Sequence, residues 1–156
     1  MSKIWPKKLL ILALFVLSIS AIIEIVLGRI VVNISNSHPG TVFWKGDAKP
    51  VKNDFAYFNF KHEFSPKGFK VLSKKLICLE GDQLLINDQF IICNKQKYPI
   101  KRNMKTGSGK LIEQFYYEGI VPNKKAIVWG SNPESFDSRY WGFIDYNKLR
   151  TINLIY

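Results

Sequence analysis

The sequence predicts a mainly β domain carried behind one N-terminal membrane helix. Three observations lead there. Leu9 to Gly28 is an apolar run interrupted by a single charge, Glu24. After Arg29 the apolar residues fall into short β-branched and aromatic stretches, separated by Gly, Pro, Asp and Asn. The chain has 156 residues, so the part beyond the run is one modest domain with a small core.

The run comes first. About 20 residues at about 1.5 Å each span the roughly 30 Å of hydrocarbon in a bilayer. Lys3, Lys7 and Lys8 precede it. Positive charge before a first span holds that end in the cytoplasm and sends the rest outside. The expected organisation is therefore a basic cytoplasmic N-terminus over 1–8, a transmembrane helix over 9–28 and an extracytoplasmic domain over 29–156. A cleaved signal peptide is the competing reading, with Ser18-Ile19-Ser20 as a weak small-x-small site. The run is longer than a usual signal-peptide core, which favours an anchor. Glu24 sits near the exit end, where a carboxylate reaches the interface.

The exported part reads as strands in order. Arg29 to Val32 leads into a polar loop, Asn33 to Gly40. Thr41 to Trp44 is a short strand, and Lys45 to Asn53 is a loop. Asp54 to Phe60 alternates aromatics as a strand does, and Phe64 to Gly68 is a turn. Phe69 to Leu79 is extended and ends at Glu80-Gly81-Asp82. Leu84 to Ile86, Asn87 to Gln89 and Phe90 to Cys93 form strand, turn and strand. A basic loop runs from Lys101 to Lys110. Leu111 to Val121 and Ala126 to Trp129 read as strands. A polar loop continues to Gly142, and Phe143-Ile144 and Thr151 to Ile155 complete the set. Many short strands with turn signals argue an all-β domain.

Composition narrows the function. The net charge is +11. The lysines are scattered and accompany no nucleic-acid motif, so attraction to anionic lipid head groups is the expectation and nucleic acid is not an expected partner. Cys78 and Cys93 are too few for a disulfide framework or a structural zinc site. They flank the hairpin and can face each other across it. Outside the cytoplasm a disulfide is allowed, but free core thiols are the favoured expectation. No metal and no cofactor are expected. Thr106 to Lys110 has the look of a phosphate-binding loop, but Met104 and Leu111 break the pattern. His38 and His62 are the only histidines. They form no close-spaced metal pair, and a triad would have to rest on His62, within the polar Lys61-His62-Glu63.

A serine-lysine pair remains, and three segments carry it. Asn33-Ile34-Ser35-Asn36-Ser37-His38-Pro39-Gly40 follows the span. Ser73-Lys74-Lys75-Leu76-Ile77-Cys78-Leu79-Glu80-Gly81-Asp82 comes next. Gly130-Ser131-Asn132-Pro133-Glu134-Ser135-Phe136-Asp137-Ser138-Arg139-Tyr140-Trp141-Gly142 comes last. In type and order they resemble the signal peptidase I superfamily. Its lysine segment reads roughly Lys-Arg-x-x-Gly-x-Pro-Gly-Asp, and its late segment Gly-Asp-Asn-x-x-x-Ser-x-Asp-Ser-Arg-x-x-Gly. The likeness covers nearly the whole chain, and the late segment is its most specific part. His38 stands where general leader peptidases usually have Met. Lys75 replaces Arg, Cys78 a Gly, Glu80 a Pro and Ser131 an Asp. The single span and a proline two residues after Ser37 resemble the TraF-type peptidases of conjugative transfer, although the next Gly and aromatic positions are shifted from that pattern.

The resemblance implies an antiparallel, barrel-like sheet and a membrane-anchored serine endopeptidase of the bacterial inner membrane. Its partners would be exported precursors, carrying a signal peptide or a prepilin leader, and the membrane lipids. Ser37 would be the nucleophile and Lys74 the general base. Ser35 would add its hydroxyl to the Ser37 backbone N–H as an oxyanion hole. Ser135 would orient the lysine amine, and Asp137 with Arg139 would form a supporting ion pair. The chemistry requires a neutral amine, whereas a lysine in water has a pKa of about 10.4. Burial disfavours the ammonium. In a strand Lys74 shares a face with Leu72 and Leu76 while Lys75 points the other way. Leu72, Leu76 and Ile77 are the expected apolar surroundings of Lys74.

Overall fold

The computed structural model describes residues 4–32, 41–61, 71–101, 104–105 and 109–155. It begins with helix α1, Ile4–Arg29. The helix therefore starts a turn before the expected span and takes in Lys7 and Lys8. Its residues from Lys7 to Gly28 stay exposed almost throughout, and Lys7–Arg29 is long and apolar enough to cross a membrane. Such a helix has no domain surface to bury against and suits lipid. Its C-terminal end is tied to the β domain. Arg29 Nη1 donates to both oxygens of Asp47 at 2.7 Å, and Lys45 Nζ donates to the Gly28 carbonyl at 2.9 Å.

The rest is mainly antiparallel β. The larger sheet is built from β1 (Ile30–Val32), β2 (Val42–Lys45), β3 (Phe55–Asn59) and β4 (Val71–Leu79). To these it adds β9 (Lys125–Trp129), β10 (Ile144–Asp145) and β11 (Arg150–Leu154), in the order β1-β2-β11-β3-β4-β9-β10. The barrel-like shape expected of this fold is thus an open one, ending at β1 and β10. The smaller sheet contains β5 (Gln83–Ile86), β6 (Phe90–Cys93), β7 (Gln96–Pro99) and β8 (Tyr117–Ile120), in the order β7-β6-β5-β8.

Local chemistry explains the turns. Asn87 Oδ1 accepts from the N–H groups of Gln89 and Phe90, both at 2.9 Å, and closes the β5–β6 hairpin. Asn94 takes φ 53° at the β6–β7 turn, a conformation asparagine tolerates better than most residues. Strand β7 was not expected, because Gln96-Lys97-Tyr98-Pro99 shows no apolar alternation. It is an edge strand, where charge and a proline are at home. Of the expected strand Leu111 to Val121, only Tyr117–Ile120 enters a ladder. The loop before Gly142 ends in one helical turn, α2 (Ser138–Trp141).

Two apolar clusters make the core. Ile77, Leu84, Ile91 and Ile127 belong to the one that includes the small sheet. Ala56, Phe58, Leu76 and Val128 belong to the other. Strands β4 and β9 contribute to both. Cys78 and Cys93 are joined by a disulfide with their Cα atoms 5.8 Å apart, which corrects the expectation of free thiols. The hairpin of β5 and β6 returns Cys93 to the underside of β4, where Cys78 is buried. A bulge makes this possible: β4 pairs with β9 at Leu76↔Val128 and then at Cys78↔Ile127, leaving Ile77 as the extra residue.

Candidate active site

Lys74 lies at the middle of β4, opposite Ala56 on β3. A small residue across the ladder leaves room for the long lysine stem. Leu76, two residues on, is buried in the same cluster as Ala56, and Leu72 packs at its margin. Lys74 itself is only 4% exposed, while Lys75 is half-buried beside Trp129 and Phe55. Ile77 does not join the surroundings of Lys74, contrary to expectation. Strand alternation puts it on the other face, in the opposite cluster.

Burial drives the chemistry of this amine. Desolvation pushes the Lys74 pKa down to about 8. Asp137 pulls it upward and Arg139 pushes it downward, and both effects are smaller than that of burial. The carboxylate does not undo the work of burial because its charge is already answered. Asp137 Oδ1 accepts from Arg139 Nε at 2.8 Å and from the Arg139 backbone N–H at 3.1 Å. Its Oδ2 accepts from Arg139 Nη2 at 2.6 Å and from the Gly130 N–H at 2.7 Å. Both side chains are fully buried.

The same pair organises the late segment. Asp137 caps α2, a position that suits a carboxylate. Arg139 Nη2 donates to the carbonyls of Gly130, Asn132 and Ser135 at 3.1, 3.0 and 3.1 Å. One guanidinium thus gathers the whole loop from 130 to 139. Ser138 Oγ accepts from the Val128 N–H at 3.0 Å and fastens α2 to β9. Since β9 is the neighbour of β4, the loop is held against the strand that carries Lys74. Ser135 is buried in that loop at 4% exposure, with its N–H donating to Asn132 O at 3.0 Å.

The structure therefore brings Lys74, Ser135, Asp137 and Arg139 into one region. Ser35 and Ser37 fall between β1 and β2, outside the described residues, as do His38, His62 and Thr106 to Ser108. Sequence reading missed an aromatic wall. Phe58, Phe60 and Trp141 pack edge to face or tilted at 4.7 to 6.1 Å, and Phe136 joins Phe60 at 6.3 Å. The alternating aromatics of Asp54 to Phe60 were the signal for it. Trp141 Nε1 is buried there and has no hydrogen-bond partner among the described residues. One further cluster, Cys78, Asp82 and Cys93, brings three metal-type ligand atoms together. Its sulfurs are committed to each other, so it offers no thiolate to a metal.

Against known proteins, residues 5–153 match the family model described as signal peptidase, peptidase S26. No curated protein matches. Among solved structures, the chain is similar to a signal peptidase I from Enterococcus faecalis. The identity is 23%, over 69% of this chain and 99% of that one, with a TM-score of 0.44. The family match takes in nearly the whole sequence, including the lysine strand and the late segment with its buried ion pair; the chain belongs to the signal peptidase family, peptidase S26, and is a serine endopeptidase.

Proposed function

We propose that this protein is an inner-membrane endopeptidase that cuts leader sequences from exported precursors with a Ser37–Lys74 dyad. One observation supports this above the others: a lysine 4% exposed, with its pKa lowered to about 8 by burial. A structural lysine gains nothing from such a place, whereas a general base needs it. In the proposed mechanism the neutral Lys74 amine takes the Ser37 hydroxyl proton as the oxygen attacks the scissile carbonyl. Ser35 and the Ser37 backbone N–H hold the resulting oxyanion. One such donor contributes roughly 3 to 4 kcal/mol in the transition state. The Lys74 ammonium then gives its proton to the leaving amine, and water releases the acyl-enzyme with Lys74 as base again. Ser135 orients the amine. Asp137 and Arg139 hold the loop that carries Ser135.

Placement supports the same reading. Lys3, Lys7 and Lys8, ahead of the apolar run, favour a cytoplasmic N-terminus and an extracytoplasmic domain. The disulfide suits an oxidising compartment. The sheet edge next to α1 carries an apolar face: Val32, Trp44 and Ile155 are exposed, and the ladder puts them on one side. A precursor lying extended against a sheet edge, with its leader in the same bilayer, brings its cleavage site to this level. The leading substrate class is a prepilin or other precursor of conjugative transfer or type IV secretion, supported by the proline two residues after Ser37. A general leader peptidase is the alternative.

Co-expression with candidate prepilins and leader-bearing precursors, followed by mass measurement of the products, tests the proposal. We expect one cut per precursor, abolished by Ser37→Ala and separately by Lys74→Ala. Unchanged cleavage in either variant rejects the dyad. A chain that cuts none of these substrates would be a membrane-tethered binding domain.

A further inference from the structure

We propose that Lys49 and Arg150 hold the phosphate of an anionic phospholipid in the leaflet where α1 ends. The inference does not depend on the dyad; it rests on the reading of α1 as a membrane span.

Two cations converge on one acceptor here. Lys49 Nζ donates to the Asn147 carbonyl at 2.6 Å, and Arg150 Nη1 donates to the same oxygen at 2.7 Å. The two nitrogens therefore lie no farther apart than those two bonds laid end to end. Like charges so close repel each other. The Lys49 pKa is lowered, by desolvation first and by Arg150 second, against an upward pull from Asp145. Asp145 does not neutralise the pair. Its Oδ1 accepts from the Asn147 N–H at 2.9 Å, and among the described residues neither cation forms an ion pair with a carboxylate. Lys148, on the same turn, adds a third exposed positive charge.

Closing the turn over 146–148 does not need both groups. Arg150 Nη1 donates to the Leu149 carbonyl as well, at 2.7 Å, while Lys49 is exposed and lies over the Tyr146 ring at 5.4 Å. An ammonium has three N–H donors and a guanidinium five, so each keeps donors beyond these bonds. Spare donors and unanswered charge on two adjacent cations suit a phosphate, whose oxygens take charge-assisted hydrogen bonds from both.

Placement selects the source of the phosphate. Arg29, the last residue of α1, is bonded to Asp47, and Lys45 is bonded to the Gly28 carbonyl. Lys49 follows Asp47 by two residues, at most about 7 Å of chain. Arg150 is kept beside the same loop by its neighbour Thr151. The Gly46 N–H donates to the Thr151 carbonyl at 2.8 Å, and the Thr151 N–H donates to the Ala48 carbonyl at 3.0 Å. The head-group layer is about 5 to 8 Å deep on each side of the hydrocarbon, within reach of long basic side chains near a helix exit. Phosphate esters are concentrated at that depth, and soluble anions are not. A zwitterionic lipid brings its own cation, which Lys49 and Arg150 repel. Phosphatidylglycerol brings none.

The test places the full chain in nanodiscs of phosphatidylcholine with a minor share of phosphatidylglycerol and counts retained lipids by native mass spectrometry. The chain is expected to retain phosphatidylglycerol at least about tenfold over its ratio in the bilayer. K49Q/R150Q should bring retention down to the bilayer ratio. K49Q alone leaves Arg150 to close the turn, so it stays informative if the double variant fails to fold; it should lose at least about threefold of the preference. K95Q/K97Q removes the same charge from the exposed β6–β7 turn and should change nothing. Equal retention of the two lipids by the unaltered chain overturns the inference. So does a preference that survives in K49Q, or one that K95Q/K97Q abolishes equally, which would make it an effect of diffuse charge. Inorganic phosphate added to pure phosphatidylcholine nanodiscs should not remain bound; a phosphate adduct lost in K49Q would assign the pair to a soluble anion instead. Displacement of phosphatidylglycerol by a glutamate-rich peptide would assign it to a segment of the precursor. A chain that does not enter nanodiscs at all contradicts the span, and the lipid site falls with it.

Discussion

An amine buried at 4% exposure is a liability to the fold, and the proposed role of Lys74 as base gives that liability a purpose. Its pKa is lowered to about 8 in the folded chain from an ordinary value near 10.5. Below about pH 8 the folded state must hold an ammonium in an apolar place or give up its proton, and the unfolded state must do neither. The unfolded chain binds more protons between these two values, so stability rises with pH across that window. Lys74→Met removes the penalty while keeping the volume. We expect it to raise unfolding free energy at pH 7 by up to about 3 kcal/mol, measured by denaturant unfolding, with the gain shrinking above pH 8 and gone by about pH 10.5. Loss of stability at pH 7 would mean that the amine is held by bonds stronger than its desolvation. Much of this site was legible. Strand parity alone separated Lys74 from Lys75, and Leu72 and Leu76 were readable as its neighbours. Ala56 was not, because a partner across the ladder depends on register. Ile77 was misplaced, although its odd spacing from Lys74 already set it on the other face of the strand.

At the scale of elements, the loop from Gly130 to Gly142 is set by one ion pair and one glycine. Its composition reads as a polar loop, yet Asp137 and Arg139 are fully buried in it. That inversion was invisible to polarity and visible only to the spacing of the motif. Gly142 ends α2 at φ 75°, and a Cβ there would approach Phe115 Cδ2 and Cε2 at 3.0 Å. Gly142→Ala therefore meets both backbone strain and a packed ring. We expect it to destabilise the chain by about 1 to 3 kcal/mol in thermal or denaturant unfolding, and to lower activity by loosening the loop that holds Ser135. A neutral result would mean that Gly142 does not set the end of this loop. Strands with β-branched or aromatic alternation were found from sequence. Strand β7 was not, since its pairing depends on the β6 edge and not on its own residues. Residues 111 to 116 were overread because apolar content without a partner strand does not make a ladder.

For the whole molecule, the proposed reading joins the helix, the apolar sheet edge and the buried lysine in one arrangement facing a membrane surface. If Trp44 rests at the interface, Trp44→Lys should raise KM several-fold for a precursor embedded in vesicles and leave a soluble peptide substrate unaffected. Equal effects on both substrates would assign Trp44 to folding instead. The long apolar helix and the order of the lysine and late segments were legible because both are linear features of the chain. The two-sheet plan was not, because it depends on contacts far apart in sequence, and the Cys78–Cys93 bond was legible as allowed but not favoured. The central claim is that an uncharged Lys74 acts as base, and the pH dependence of kcat/KM for the full chain in lipid vesicles tests it most directly. Only the free amine accepts a proton, so kcat/KM should climb tenfold per unit below the midpoint and level off above about pH 8. A flat or acid-favoured profile, with cleavage still dependent on Ser37, would contradict it.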